Sequence, residues 1–445
     1  MAYSKKMNGG DVEPILPFSS SPLFQWKVLL LIITITIINY LDRSAIAFAI
    51  LPIQRDLHIS NMQFGLIGSA FGIGYIVMTV IGGILVDRYG TKRMWTLSAI
   101  AWSLAIIAMG QAQGFTSLFI LRVVLGLAEG SHFPTLVRAV ATWLAPAHRT
   151  KAIAFGLMGV PVASIIGAPL TSFLIVETSW RWMFTILGGF GLIWALLWAL
   201  TLHRVSEPML RLPREVRESV RDSKEALSIA SSDAPALRRR AEWKEILSNP
   251  AFLTTSFAFF ALGYTVFFAL IWLPGYFEKT HDTTIARTGW IVTLPWIISA
   301  IMVMAGGYFS DLIARKSGSL RRSRSFIIAG GLLASALCFA SVPFFHSLRH
   351  DLLFISLGLG CIFFTNSPIF AINIDLFETK AATAEGLMAF FFSVAGILSP
   401  LLTGWLIGKG TNFDPALYVV GAISCVAALL VLFFDWPDRY AKGAI

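Results

Sequence analysis

Runs of about 20 apolar residues, each long enough to cross a hydrocarbon layer roughly 30 Å thick, recur from one end of this 445-residue chain to the other. In lipid, each segment must satisfy its own backbone N–H and C=O groups, so runs of this kind fold as helices. They fall at about 26–50, 62–86, 94–112, 115–142, 151–176, 181–203, 250–277, 288–313, 325–345, 351–377, 383–408 and 414–435. The breaks at Gly110 to Phe115 and Lys380 to Thr383 are short, and merging across them would leave ten or eleven helices. Hydrophobic residues make up 56% of the chain and charged residues only 13%, more apolar surface than a soluble domain of this length can hide. The expected fold is all-α: a polytopic membrane protein of twelve transmembrane helices, in two six-helix halves around a central cavity.

The formal charge of +10 is explained by its placement. With a cytoplasmic N-terminus, the inner joints hold Arg88, Lys92, Arg93, Arg149, Lys151, Arg315, Lys316, Arg321, Arg322 and Arg324. The outer joints hold only Arg55, Arg181, Lys279, Arg287, Arg349 and Lys409. This positive-inside bias puts both termini in the cytoplasm of a multi-pass protein of the cell (inner) membrane, and no nucleic-acid partner is needed to account for it. The first 25 residues lack the short apolar core of a cleavable export signal. Cys338, Cys361 and Cys425 fall inside spans, which excludes a disulfide framework and a zinc cluster. The expected organisation is a cytoplasmic segment 1–25, a six-helix half 26–203, a charged cytoplasmic linker 204–249, a second half 250–435 and a tail 436–445. Alternating acids and bases in the linker, from Arg211 to Glu225, suit a solvated surface helix.

The division into two halves is echoed by a repeat. Gly83-Ile-Leu-Val-Asp87-Arg88-Tyr-Gly90-Thr-Lys92-Arg93 follows the second span, and Gly307-Tyr-Phe-Ser-Asp311, then Arg315 and Lys316, follows the eighth. The Gly-to-Asp spacing is the same in both. The first segment resembles the signature loop of the major facilitator superfamily, and the second its weaker copy. Physically, the glycine admits a close helix approach, and the aspartate can cap a helix start or pair with an arginine. A topogenic basic loop with an incidental acid is the alternative.

Ionisable groups inside apolar helices cost at least a few kcal/mol each, so they mark function or a forced pairing. The first span carries Asn39-Tyr40-Leu41-Asp42-Arg43, and the fourth carries Arg122, Gly126, Glu129 and Gly130. Counting from the outer ends at about 1.5 Å per residue puts Asp42, Arg43 and Arg122 nearly level, with Glu129 two turns deeper. That counting pairs Asp42 with Arg122 and leaves Arg43 to line the cavity. Gly126 and Gly130, four apart, would admit a neighbouring helix. A structural ion pair is the alternative for Asp42 and Arg122, and a packed, neutral acid for Glu129. His132 reads as a packing histidine or a relay.

This constellation resembles the anion:cation symporter family of the superfamily, which includes carriers of sugar acids. The matching elements are Tyr40, Asp42 and Arg43, the spacing from Arg122 to Glu129, and Ser69-Ala-Phe with Tyr75. The resemblance implies that Arg43 helps bind the substrate carboxylate, with Arg122 beside it, that Asp42 and Glu129 take up protons, and that Tyr40 and Tyr75 contribute to the substrate site. The chain also departs from the galactonate carriers: Val160-Pro161 stands in the fifth span where they offer a glutamine, and phenylalanines stand at the start of the eleventh span. Thr365, Asn366, Ser367 and Asn373 are the polar candidates in the tenth span, with Asn366 and Ser367 taken as substrate-site residues. The expected function is uptake of a small organic anion with protons by alternating access, in a monomer with no cofactor and no metal. An anion exchanger or drug/metabolite antiporter of the same fold is the alternative, since Gly156, Gly159, Gly167 and Pro169 partly echo an exchanger pattern. A non-transporting receptor is the more distant one. No nucleophile turn or phosphate loop points to an enzyme.

Overall fold

A computed structural model describes residues 22–143, 152, 155–156, 158–202, 243–345, 347–377 and 381–439. The N-terminal segment, nearly all of the linker and the last six residues lie outside the described residues. Among the described residues, twelve helices are long and apolar enough to cross a membrane. The first half runs α1 (Pro22–Phe48), α2 (Ile50–Leu57), α3 (Asn61–Tyr89), α4 (Thr91–Gly110), α5 (Phe115–Glu129), α6 (His132–Trp143), α7 (Gly159–Glu177) and α8 (Trp180–Thr201). The second runs α9 (Pro250–Thr280), α10 (Ile285–Ser317), α11 (Phe326–Ser341), α12 (Leu348–Phe364), α13 (Asn366–Phe377), α14 (Ala381–Ile407) and α15 (Asp414–Phe434). Local chemistry sets the ends. Ser60 and Gln63 form a capping box at the start of α3, Asn249 caps α9 ahead of Pro250, and Gly318 closes α10 in the left-handed region at φ 60°.

Helix pairings in one half recur in the other, displaced by six spans. The pairs α4–α8, α3–α5 and α1–α7 correspond to α11–α15, α10–α12 and α9–α14. The halves meet through α3–α14 and its counterpart α7–α10, with α1 against α9 between them. These contacts are close where small residues allow it. A Cβ at Gly65 would lie 2.5 Å from the Pro400 carbonyl, and one at Gly289 would lie 2.8 Å from the Ala168 carbonyl. At the other end of the same helices, a Cβ at Gly83 or Gly386 would meet nothing within 4 Å. The halves are therefore pressed together at one face of the bundle and apart at the other.

The separated face carries the basic signature loops. Gly90 sits at φ 81°, which a side chain would strain, and Lys92 Nζ donates to the Leu202 carbonyl at 2.9 Å, closing the end of α8. The side chain of Asp87 lies outside the described residues. In the second copy, Asp311 pairs with Arg324 rather than Arg315, at 2.9 Å, and Arg324 also reaches Asp375 at 3.1 Å. One guanidinium, in the turn that leads into α11, thus ties α10 and α13 together. Just past α15, the Asp438 carboxylate accepts from Leu320 N at 2.7 Å and Ser319 Oγ at 2.8 Å, and the Arg321 guanidinium lies over the Trp436 ring. Asp435 is fully buried in that joint, and its burial lifts the carboxyl to a pKa of about 7 against the pull of nearby Arg321.

Candidate functional site

The acids and arginines of α1 and α5 come together, but in a different pairing from the one expected. Arg43 Nη2 lies 3.2 Å from Glu129 Oε2, both residues being almost wholly buried. Asp42 does not reach Arg122: both of its carboxylate oxygens are buried without a hydrogen-bond partner among the described residues. Depth explains the difference. The first helix does not stop where its apolar run stops. After a one-residue irregularity at Ala49 it continues as α2 to Leu57, through the polar residues Gln54, Arg55 and Asp56. Arg43 is fourteen residues from that end, and Glu129 is fourteen residues from the start of α5 at Phe115. Both therefore sit about 21 Å from the same face, while Arg122 sits only about 10 Å from it.

Aromatic rings enclose the paired arginine. The Arg43 guanidinium carbon is 4.7 Å from the Tyr40 ring centre, 4.6 Å from Phe71 and 4.7 Å from Tyr75. Phe71 also serves Arg122, whose guanidinium carbon is 5.1 Å from the same ring, and it stacks on Tyr75 with centres 5.5 Å apart. A π-face attracts a cation without neutralising it, so Phe71 holds two like charges near each other while leaving both able to meet an anion. The crossing of α3 and α5 sets this geometry. A Cβ at Gly74 would run into the Val123 carbonyl, and one at Gly126 into the Phe71 carbonyl. The Gly126/Gly130 face expected to admit a helix admits α3. Arg122 keeps a 3.5 Å contact from Nε to the Ile67 carbonyl, and its Nη1 has no partner among the described residues.

Other candidates sort by their contacts. His132 is a packing residue. Trp95 Nε1 donates to its Nδ1 at 3.3 Å, and its Nε2 faces the Thr36 hydroxyl, also at 3.3 Å. Because that hydroxyl donates to the Ile32 carbonyl, the ring is fixed as the neutral Nε2–H tautomer and has no free nitrogen for a relay. Ser367 is not brought to the cluster. Its hydroxyl donates to the Val303 carbonyl at 3.1 Å, in the seam where α13 packs on α10. Asn366, one residue earlier, is half-buried with Oδ1 unpartnered among the described residues. It lies on the stripe of α13 whose Phe370 and Phe377 meet α9. Gly159 and Gly167 are seats for Thr36 and Leu41 of α1, so the exchanger-like glycines of α7 have a packing role. The three cysteines are free thiols, half-buried in α11, α12 and α15. Among the described residues, no cluster of three acids, histidines or cysteines is arranged to hold a metal ion.

Phe71 joins the site with no sequence signal beyond its place in the Ser69-Ala-Phe run. Ser69 itself belongs elsewhere, since its hydroxyl donates to the Ile397 carbonyl across the seam between the halves.

Comparison with known proteins shows the family. A model of the Major Facilitator Superfamily matches residues 32–400. The chain is 31% identical over 414 residues to a hexuronate transporter of Bacillus subtilis, covering 92% of this chain and 94% of the relative. It is 28% identical to a probable sulfoacetate transporter of Cupriavidus necator, covering 91% and 94%. Among solved structures, the fold resembles a bacterial homologue of the human lysosomal transporter Spinster in an inward-facing, occupied conformation. That likeness has a TM-score of 0.77 at 16% sequence identity, over 94% of this chain and 98% of the other.

Proposed function

This chain belongs to the major facilitator superfamily of membrane transporters, and from that premise we propose that it carries a small carboxylate anion inward together with protons, by alternating access. The observation that carries the proposal is the buried Arg43–Glu129 pair inside its ring of aromatics. The names of the relatives support the substrate class, since hexuronates and sulfoacetate are small acids. The basic face is assigned to the cytoplasm on the positive-inside bias, which makes the separated halves an inward-facing state and puts both termini inside.

The chemistry follows from one cation serving two anions. With the site empty, Glu129 neutralises Arg43. An incoming carboxylate takes Arg43, whose planar fork it can meet with two parallel hydrogen bonds, while Arg122 stands by with an open Nη1. Glu129 is then left in an apolar setting without its cation. An uncompensated buried charge is expensive, so it takes a proton. Asp42, buried and unpaired already, is neutral by the same reasoning and forms the second proton site. Tyr40 and Tyr75 flank the bound anion, and Asn366 faces it from the second half. Symport, rather than exchange, is tested in proteoliposomes with D-glucuronate as the substrate. An imposed inward proton gradient should drive accumulation in the native protein. Glu129→Gln should lose that accumulation yet keep exchange of labelled for unlabelled substrate. Uphill uptake by Glu129→Gln would remove Glu129 from coupling, and uptake indifferent to the gradient but stimulated by internal substrate would make the protein an exchanger.

A further inference from the structure

Opposite the basic face, the halves are joined by a half-buried polar knot that the transport chemistry above does not use. Asn61, at the start of α3, spends its whole hydrogen-bonding capacity there. Its Nδ2 donates to the Gly408 and Gly410 carbonyls, just past α14, at 3.0 Å each. Its Oδ1 accepts from Gln54 Nε2 at 2.9 Å and from Lys279 Nζ at 2.5 Å. Lys279, near the end of α9, also donates to Gln54 Oε1 at 2.8 Å. Four of these five bonds therefore cross between the halves, and all five run through two side chains of the first half and one ammonium of the second. Gly408 can offer its carbonyl this way because it turns in the left-handed region at φ 57°.

We propose that Asn61 and Lys279 form the latch that holds the transporter closed on this face, and that the latch must break each time the binding site opens toward it. The neighbouring contacts are of another kind. Gly65 against Pro400 and Gly275 against Ile50 are close-packed and apolar or backbone in character, so they fit only in the closed arrangement but specify no hydrogen-bond partner. The knot supplies that specificity. Lys279 cannot keep its charge satisfied by amide oxygens of the first half once the halves part, so opening hands the ammonium to water. Between the knot and Arg43 lies a small cleft bordered by Ser44, Phe48, Ser164, Pro274 and Trp296. It touches both halves and marks the route the latch blocks. This inference concerns conformation alone and stands whatever anion is carried.

The test labels Ser164→Cys, a cleft-lining and otherwise buried position, with a membrane-impermeant maleimide outside intact cells, with Cys338, Cys361 and Cys425 replaced by alanine. Thr411→Cys, in the exposed joint after α14, should label in every background. If it does not, the assigned orientation is wrong and the same labelling is run on inverted vesicles. Lys279→Met and Asn61→Ala should each speed labelling of Ser164→Cys by about tenfold, equivalent to a shift of about 1.4 kcal/mol toward the open form. The double variant should add little, because both residues belong to one device, and Lys279→Arg, which can still donate to both amides, should restore slow labelling. Gln54→Met, which leaves Asn61 in place, should give a smaller rise. Unchanged labelling in Lys279→Met and Gln54→Met overturns the latch. So does an equal rise at Ser335→Cys, buried within the second half, since that would report general loosening.

Discussion

Replacing Glu129 with glutamine should tighten binding of the anion at high pH and remove one proton from the binding equilibrium. At 3.2 Å and an effective dielectric constant of about 20, the Arg43–Glu129 attraction is about 5 kcal/mol gross. Buried, hydrogen-bonded charge pairs of this kind change binding by about 2–5 kcal/mol when one partner is cut away. In the native protein, at a pH where Glu129 is ionised, a substrate carboxylate must displace that attraction to reach Arg43. In Glu129→Gln there is nothing to displace. Taking the lower figure of about 2 kcal/mol, the dissociation constant should fall about 30-fold at alkaline pH. The sign of the pH effect follows from linkage. If binding anion makes Glu129 take up a proton, native affinity must rise as pH falls, by up to tenfold per unit for each proton coupled. The variant should lose one such proton from the slope, and any slope that remains belongs to Asp42. The assay is thermal stabilisation of purified protein by D-glucuronate, with sulfoacetate in parallel, across a pH series. Ligand adds stability as RT ln(1 + [L]/Kd), so 30-fold in affinity appears as an extra 2 kcal/mol or so at saturating ligand. A variant that binds no tighter than the native protein at high pH, with an undiminished slope, would refute the idea that substrate and Glu129 compete for Arg43.

Four further outcomes are expected. Arg43→Lys should weaken anion binding at least tenfold in the same thermal titration, because a point charge neither forks onto a carboxylate nor stacks on three rings. Phe71→Leu removes a ring facing two guanidiniums and should cost about 1–2 kcal/mol of binding, with the fold intact by size-exclusion profile. Gly126→Ala drives a methyl group into the Phe71 carbonyl and should lower thermal stability by about 1–3 kcal/mol or more, and with it transport, whereas Gly83→Ala, where there is room, should leave stability unchanged. Asp435→Asn tests the joint at the end of α15. Its folded-state pKa of about 7 exceeds an unfolded value of about 3.9, so the native carboxyl's contribution is intact below about pH 4 and is lost as pH rises to about 7. The variant should therefore melt above the native protein by a margin that grows across that window and is flat beyond it.

The twelve helices were legible because lipid imposes one length and one hydrogen-bonding solution on every crossing segment, and hydropathy reads both. The repeated Gly-to-Asp spacing was legible as a pattern but only partly in its role: Asp311 takes Arg324 as its partner, whereas a Cβ at Gly83 would meet nothing within 4 Å, so that glycine does not serve the close helix approach expected of it. The pairing of the buried charges was not legible. It turned on where the first helix ends, and the apolar run ends at residue 50 while Gln54, Arg55 and Asp56 carry the helix on to Leu57. Those polar residues lie beyond the run that hydropathy measures, so the inferred depth of Arg43 was short by about two turns. Azimuth was hidden as well. That Phe71 reaches both arginines depends on α3 crossing α5 at Gly74 and Gly126, a contact between residues some fifty positions apart. The Asn61–Lys279 knot joins residues more than two hundred positions apart, and nothing in either local sequence names the other.

The corrected pairing also changes what proton coupling requires. Had Asp42 held Arg122, the substrate would have met Arg43 freely, and coupling would have needed a separate event to release Asp42. With Glu129 on Arg43, binding and protonation become one exchange at a single guanidinium. The anion cannot take Arg43 without stranding Glu129, and Glu129 cannot return to Arg43 without expelling the anion. On the proposed mechanism, proton and substrate arrive together and leave together, as in a symporter. If Asp42 keeps its proton throughout, a monoanion and one proton cross with no net charge. If Asp42 also releases its proton inside, one positive charge crosses per cycle, and a membrane potential contributes about 2.3 kcal/mol per 100 mV. Whether uptake responds to an imposed potential at fixed pH therefore reports on Asp42 alone, and Asp42→Asn should abolish any such response while leaving the exchange at Arg43 in place.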